Sequence, residues 1–135
     1  MVSEHYNQNY TEEEIRILLN KIKNCINDGQ YTISKNRVEN QQFMNDYNIS
    51  DMKRKDILLN IEVTDFCHSL KNIKSGYEHE ILYVFCPQET LFDVLGEEEF
   101  VDIYTKFNII EYRCNREAIA ISFHKRNKPI DYAFR

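Results

Sequence analysis

The sequence predicts an α+β fold, with N-terminal helices packed on one small antiparallel β-sheet. Two observations predict it. Apolar residues recur at helical spacing up to about residue 61, and after residue 79 they form continuous or alternating strand-like runs. The chain also holds only three Gly and two Pro in 135 residues, with no internal repeat, low-complexity tract or Gly/Ser linker, so a single domain over 1–135 is expected.

The elements follow in order. Residues 1–10, "MVSEHYNQNY", are polar and are expected to fray. In "TEEEIRILLNKIKNCINDG", Thr11 and Glu14 have capping-box spacing, and Ile15, Leu18, Leu19, Ile22 and Cys25 or Ile26 mark one helical face. Gly29 is placed to end that helix. "YTIS" is a short extended link. A second, weakly amphipathic helix starts at Ser34 or Asn36 and runs through Val38, Phe43 and Tyr47. "SDMKRKDILLNI" is a third helix, capped by Ser50 or Asp51, and "EVTDFC" is a single turn starting near Thr64. "HEILYVFCP" is an apolar strand stopped by Pro87, and "ETLFDVLGEEEF" is a loop or short helical insert. "VDIYTKFNII" and "AIAISFHK" are two strands joined around "RCN", and "IDYAF" alternates as an added edge strand after Pro129.

Composition narrows the class. Apolar content is 42% and charged content 29%, within the range of ordinary globular proteins. No apolar run reaches the length of a membrane span and the N-terminus lacks a secretory-type apolar stretch, so a cytoplasmic location is expected. Cys25, Cys67, Cys86 and Cys114 form no C-x-x-C pair and read as packing residues, with no zinc site. Glu97, Glu98 and Glu99 are consecutive, so they point apart and make a poor metal-ligand set. Neither metal nor cofactor is expected. A net charge of −5 argues against broad electrostatic binding to nucleic acid and leaves a local patch at "HKRNK".

Alternation in the two long strands locates a cluster. Val101, Ile103, Phe107 and Ile109 share one face, and Tyr104, Lys106 and Asn108 the other. In the second strand, Ile119, Ile121 and Phe123 share a face, opposite Ala118, Ala120, Ser122 and His124. Joining like faces requires paired numbers with an even sum, which a three-residue loop Arg113–Asn115 supplies. Tyr104 then faces His124 and Lys106 faces Ser122, on a side left open by Ala118 and Ala120. A phenol, an amine, a hydroxyl and an imidazole gathered there can act on a phosphodiester. The structural alternative is the solvated face common to antiparallel sheets.

Together "DMKRKDILLNIEVTDFC", "ILYVFCP", "VDIYTKFNII" and "AIAISFHK", preceded by the capped first helix, cover most of residues 11–125. In this combination the chain resembles the MqsR toxin family, bacterial type II toxin–antitoxin endoribonucleases with a RelE-like fold. The resemblance implies metal-independent mRNA cleavage and neutralisation by a cognate antitoxin protein. The family's catalytic tyrosine falls on Tyr104, its basic residue after "S-F" on His124, and a further basic residue after "D-F" on His68. The family carries lysine at both histidine positions, and its strand glutamine falls near Leu82. Metal-free RNA cleavage needs an acid, a base and cations, and His124 is assigned here as the general acid and His68 as the candidate base. Tyr104 positions the phosphate or helps in proton transfer, Lys106 and Lys125 hold phosphate charge, and Arg126 and Lys128 contact flanking nucleotides. The alternative function is a catalytically inactive RelE-like module that binds RNA or protein, with "TLFDVLGEEEF" as a docking element.

Overall fold

A computed structural model describes residues 6–135. Three helices pack on one face of a six-stranded sheet. The elements run α1 (Glu12–Asn27), β1 (Tyr31–Ile33), α2 (Val38–Asp46), α3 (Asp51–Leu59), a 3-10 turn (Val63–Asp65), β2 (Phe66–Lys71), β3 (Ile81–Phe85), β4 (Gln88–Phe92), β5 (Glu98–Tyr112) and β6 (Asn115–Lys125). The strand order is β1-β6-β5-β3-β2, with β4 paired to the free half of β5. The α+β class therefore holds, and the sheet is mixed rather than purely antiparallel, because β1 runs parallel to β6.

Local sequence explains the helices. Thr11 and Glu14 form the full reciprocal capping box at the start of α1. Ser50 accepts from the Lys53 N–H and caps α3. The second helix starts later than its apolar pattern suggests, with Arg37 at the N-cap and no side-chain cap bond. Ile15, Leu19, Ile22 and Ile26 of α1 meet Phe43 and Met44 of α2, Ile57 and Leu58 of α3, and a sheet face built from Phe66, Phe85, Ile103, Phe107 and Phe123.

Several elements differ from the sequence expectation. Residues 66–71 continue past the turn as strand β2, which the polar His68 and Ser69 hid. "ETLF" is strand β4, closed onto β5 by a tight turn in which Asp93 Oδ1 accepts from Leu95 and Glu97 and Gly96 takes φ +80°. "IDYAF" is not a strand. It is an irregular tail held by Ala133 N–H to the Phe66 carbonyl, Tyr132 O–H to the Cys86 carbonyl, and Arg135 on Asp65 at 2.8 Å. Residues 6–10 are also placed: Asn7 pairs with Ser69, while residues 1–5 lie outside the described residues. Cys25, Cys67 and Cys86 are buried as packing residues, but Cys114 is exposed in the hairpin turn.

The β5–β6 hairpin sets the site. Its loop has two residues, Arg113 and Cys114, between the paired Tyr112 and Asn115, rather than three. Arg113 takes φ +54°, which lets so short a turn match the strand twist. Near the turn Phe107 faces Ala120 and Ile109 faces Ala118, so both alanines lie under the helices and do not open the other face. Both alanines belong to the core that α1 and α2 form with the sheet, and α1 and α2 both pack on β6. A one-residue bulge at Ile121 then restores the expected phase: Lys106 faces Ser122, Thr105 faces Phe123, and Tyr104 faces His124.

Candidate functional site

The sheet face away from the helices carries a row of paired residues: His68 on β2, Val84 on β3, Lys106 on β5 and Ser122 on β6. Tyr104 and His124 form the next pair on the same face. Cys67, Val84, Cys86 and Tyr104 make a small second core there, roofed by Leu70 and by Ile130 and Tyr132 of the tail. The cluster is thus set into a partly covered apolar surface rather than a solvated one. Tyr104 is 4% and His124 7% exposed.

Tyr104 and His124 lie stacked, ring centroids 5.4 Å apart and planes 24° from parallel. His124 Nδ1 is 2.9 Å from the Lys125 carbonyl, which can only accept. In the neutral ring Nδ1 therefore carries the proton and Nε2 keeps its lone pair. Burial pushes the Tyr104 hydroxyl up to about 12, so it stays protonated at neutral pH. Burial, with the charges of Arg37 and Lys128, pulls Lys106 down to about 8. Ser122 is 1% exposed, and its Oγ has no hydrogen-bond partner.

Lys128 is at the junction of two parts of this face. Its Nζ sits 5.2 Å from the Tyr104 ring centroid. It also lines a cavity of about 540 Å³ with Tyr6, Gln8, His68 and Ile130. His68 is 4% exposed there and stacks on Tyr6, centroids 4.0 Å apart and planes 11° from parallel. Its Nε2 has no partner. Burial first, then the Lys128 charge, holds the ring near a pKa of about 4, so it is neutral at physiological pH.

The expected site residues therefore separate into groups. Tyr104, Lys106 and His124 come together as the periodicity predicts, with Lys128 beside them. His68 shares their face, but three strand spacings, roughly 14 Å, divide its backbone from that of Ser122. Its burial lowers the ring's pKa to about 4, which makes it a weaker base than a free imidazole. Lys125 and Arg126 are not offered to a substrate on this face. Lys125 bonds Glu99 at 2.9 Å beside Tyr47, which itself donates to Glu99, and Arg126 bonds Asp102 at 3.1 Å. By contrast, among the described residues Lys106, Lys128 and Arg37 form no ion pair.

Sequence reasoning missed Arg37, Tyr6 and Gln8. All lie far along the chain from the motif-bearing strands, and only the packing of α2 and of residues 6–10 brings them in. Among the described residues no group of three or more His, Cys, Asp and Glu could hold a metal ion, and no helix is long and apolar enough to cross a membrane.

No protein family, curated protein or solved structure matches this chain.

Proposed function

We propose that the protein is a metal-independent endoribonuclease that cleaves mRNA by attack of a ribose 2′-OH on the adjacent phosphate, and that a cognate antitoxin protein neutralises it. One observation carries the proposal. The stacked Tyr104–His124 pair shares a sheet face with Lys106 and the overlying Lys128, and the charges that act on Lys106, those of Arg37 and Lys128, are both positive.

The groups present match the steps of transesterification. His124 Nε2, free as an acceptor, takes the 2′-OH proton, a base role in place of the acid role assigned from the sequence. The 2′-oxygen bonds to phosphorus and the P–O5′ bond breaks. Lys106, still mostly protonated at pH 7 with a pKa of about 8, donates to the departing 5′-oxygen. The products are a 2′,3′-cyclic phosphate and a 5′-OH. The Tyr104 hydroxyl, held protonated, donates a hydrogen bond to a nonbridging oxygen. Lys128 and Arg37 offset the phosphate charge. For the protein partner, the β4–β5 hairpin offers apolar area, since Phe92, Val94, Leu95 and Phe100 are all exposed there.

The burial of Tyr104 and His124 favours a second reading, an inactive relative that binds RNA or protein. Cleavage of a defined mRNA by purified protein in EDTA decides between them, with His124→Ala beside it. The enzyme leaves 5′-OH ends and the variant loses at least about 100-fold in rate. Equal cleavage by both removes His124 from the chemistry, and cleavage by neither selects the binding module.

A further inference from the structure

We infer that the cavity between Tyr6, His68 and the 128–131 segment is a subsite for the base of an unpaired nucleotide next to the scissile phosphate. His68 serves there in recognition rather than proton transfer. The inference rests on the endoribonuclease reading for the phosphate's position, and on the cavity itself for the base.

The cavity has the size and chemistry of a base pocket. Its volume of about 540 Å³ lies within the range of small-ligand sites. One wall is the parallel Tyr6–His68 stack, whose outer member, Tyr6, is 38% exposed and able to take a further flat ring. Pro129 and Ile130 supply an apolar wall. The charges of Lys128 and Asp131 lie at the exposed side of the cavity, and two neutral polar groups line its inner side. The Gln8 amide nitrogen donates to the carbonyls of Cys67 at 2.9 Å and Asp131 at 3.0 Å, which fixes the amide while leaving its oxygen to accept. His68 is 4% exposed, and its Nε2, which has almost no accessible surface, has no partner among the protein groups. A buried polar atom without a partner is costly, and a base edge that reaches it as the stacked Tyr6 ring shifts is correspondingly favoured. A ring that stays neutral can read a base edge without demanding a second anionic group there.

The neighbouring phosphate fixes which base. Lys128 lines this cavity and also overlies Tyr104, so a phosphate held by Lys128 lies between the Tyr104–His124 pair and the stack. His68 and Lys106 stand two strand spacings apart, about 10 Å, comparable to the span of one nucleotide from phosphate to base edge. A stacked, edge-read base suits single-stranded RNA, in which bases are free to splay out.

The test is an abasic scan. Fluorescent 2′-fluoro pentanucleotides, which lack the attacking hydroxyl, are made abasic one position at a time and titrated against wild type, Tyr6→Ala and His68→Phe. Cleavage of the all-ribose pentanucleotide is followed in parallel. In wild type one position loses about 10- to 100-fold in affinity and the others much less. Tyr6→Ala, at an exposed residue, removes that position-specific loss. His68→Phe keeps the flat ring and the loss but relaxes the preference between bases. A flat profile in wild type, or one unchanged by Tyr6→Ala, overturns the subsite even where cleavage persists. A position-specific profile that depends on Tyr6 without any cleavage upholds the subsite and removes the catalytic reading.

Discussion

Asn40 is the side chain on which the placement of His124 depends most directly. It is fully buried on α2 and uses three of its hydrogen-bonding positions on backbone. Nδ2 donates to the carbonyls of Ser34 and Ile121, each at 3.0 Å, and Oδ1 accepts from the Phe123 N–H at 2.8 Å. Strand β1 pairs with β6 only as far as Ala120. Beyond it Asn40 takes the place of a strand partner and holds the carbonyl of the bulged Ile121. Asn40→Ala leaves three backbone groups without these bonds. At a net ~0.5–1.5 kcal/mol per bond the loss is about 1.5–4.5 kcal/mol, with the upper half favoured because the groups are buried. For a domain of total stability near 5–15 kcal/mol this is a large fraction. With a urea m-value of about 1.5–2 kcal/mol per M, a loss of ~3 kcal/mol lowers the urea midpoint by about 1.5–2 M. Asn40→Asp keeps the acceptor for Phe123 but sets a carboxylate against two carbonyls, so it falls at least as far at pH 7 and partly recovers in acid. Urea titrations of the three proteins at two pH values measure this. A loss below about 0.5 kcal/mol in Asn40→Ala would show that the edge of β6 does not need α2 and would sink the argument.

Other outcomes follow from charge and burial. Lys106 has a folded pKa of about 8, below the unfolded value near 10.5, so between those values only the unfolded chain keeps the proton. Stability gains up to about 3 kcal/mol across pH 8–10.5 from this group, and Lys106→Met, compared with wild type by urea titration, is stabilised at pH 7 and loses that advantage by pH 10. His68 has a folded pKa of about 4 against 6.5, so its contribution falls as pH drops from 6.5 toward 4. Thermal melts of His68→Phe and wild type therefore diverge in acid, the variant losing less, and parallel curves would mean that His68 protonates freely. In the native state one thiol in four, Cys114, reacts rapidly with an aromatic disulfide reagent, and Cys114→Ser abolishes the fast phase.

Much of this was legible in the residues because it is local. The Thr11–Glu14 box, the Ser50 cap, the apolar face of α1 and the alternation of β5 all depend on spacing within a few positions. The missed elements depend on partners. β2 carries His68 and Ser69 among its buried positions, so its pattern gives no strand period until β3 and residues 6–10 enclose it. β4 has Gln88, Thr90 and Phe92 exposed and only Leu91 buried, a short edge strand with little hydrophobic signal. The tail looks like a strand because Ile130 and Tyr132 are needed on one side, yet what they cover is the second core over Tyr104.

The Tyr104–His124 pair was reached through two departures that cancel. The loop is one residue shorter than parity required, and the bulge at Ile121 adds one residue back. Each has its own physical cause. The short turn places Ala118 and Ala120, the two alanines of the strand, in the core that the helices share with β6. A β-branched Ile119 or Ile121 at those positions would hold the helices off the sheet. Past the bulge the core again needs a large group, and Phe123 fills it against Phe43 with centroids 5.5 Å apart. Turning Phe123 inward turns Ser122 and His124 outward. The core on one face thus determines which polar groups stand together on the other. Alternation alone predicts the pair correctly wherever a packing demand restores the phase that a turn has shifted. It does not reveal where along β6 the shift is made, and Asn40, which bonds the backbone at that point, lies 81 residues away.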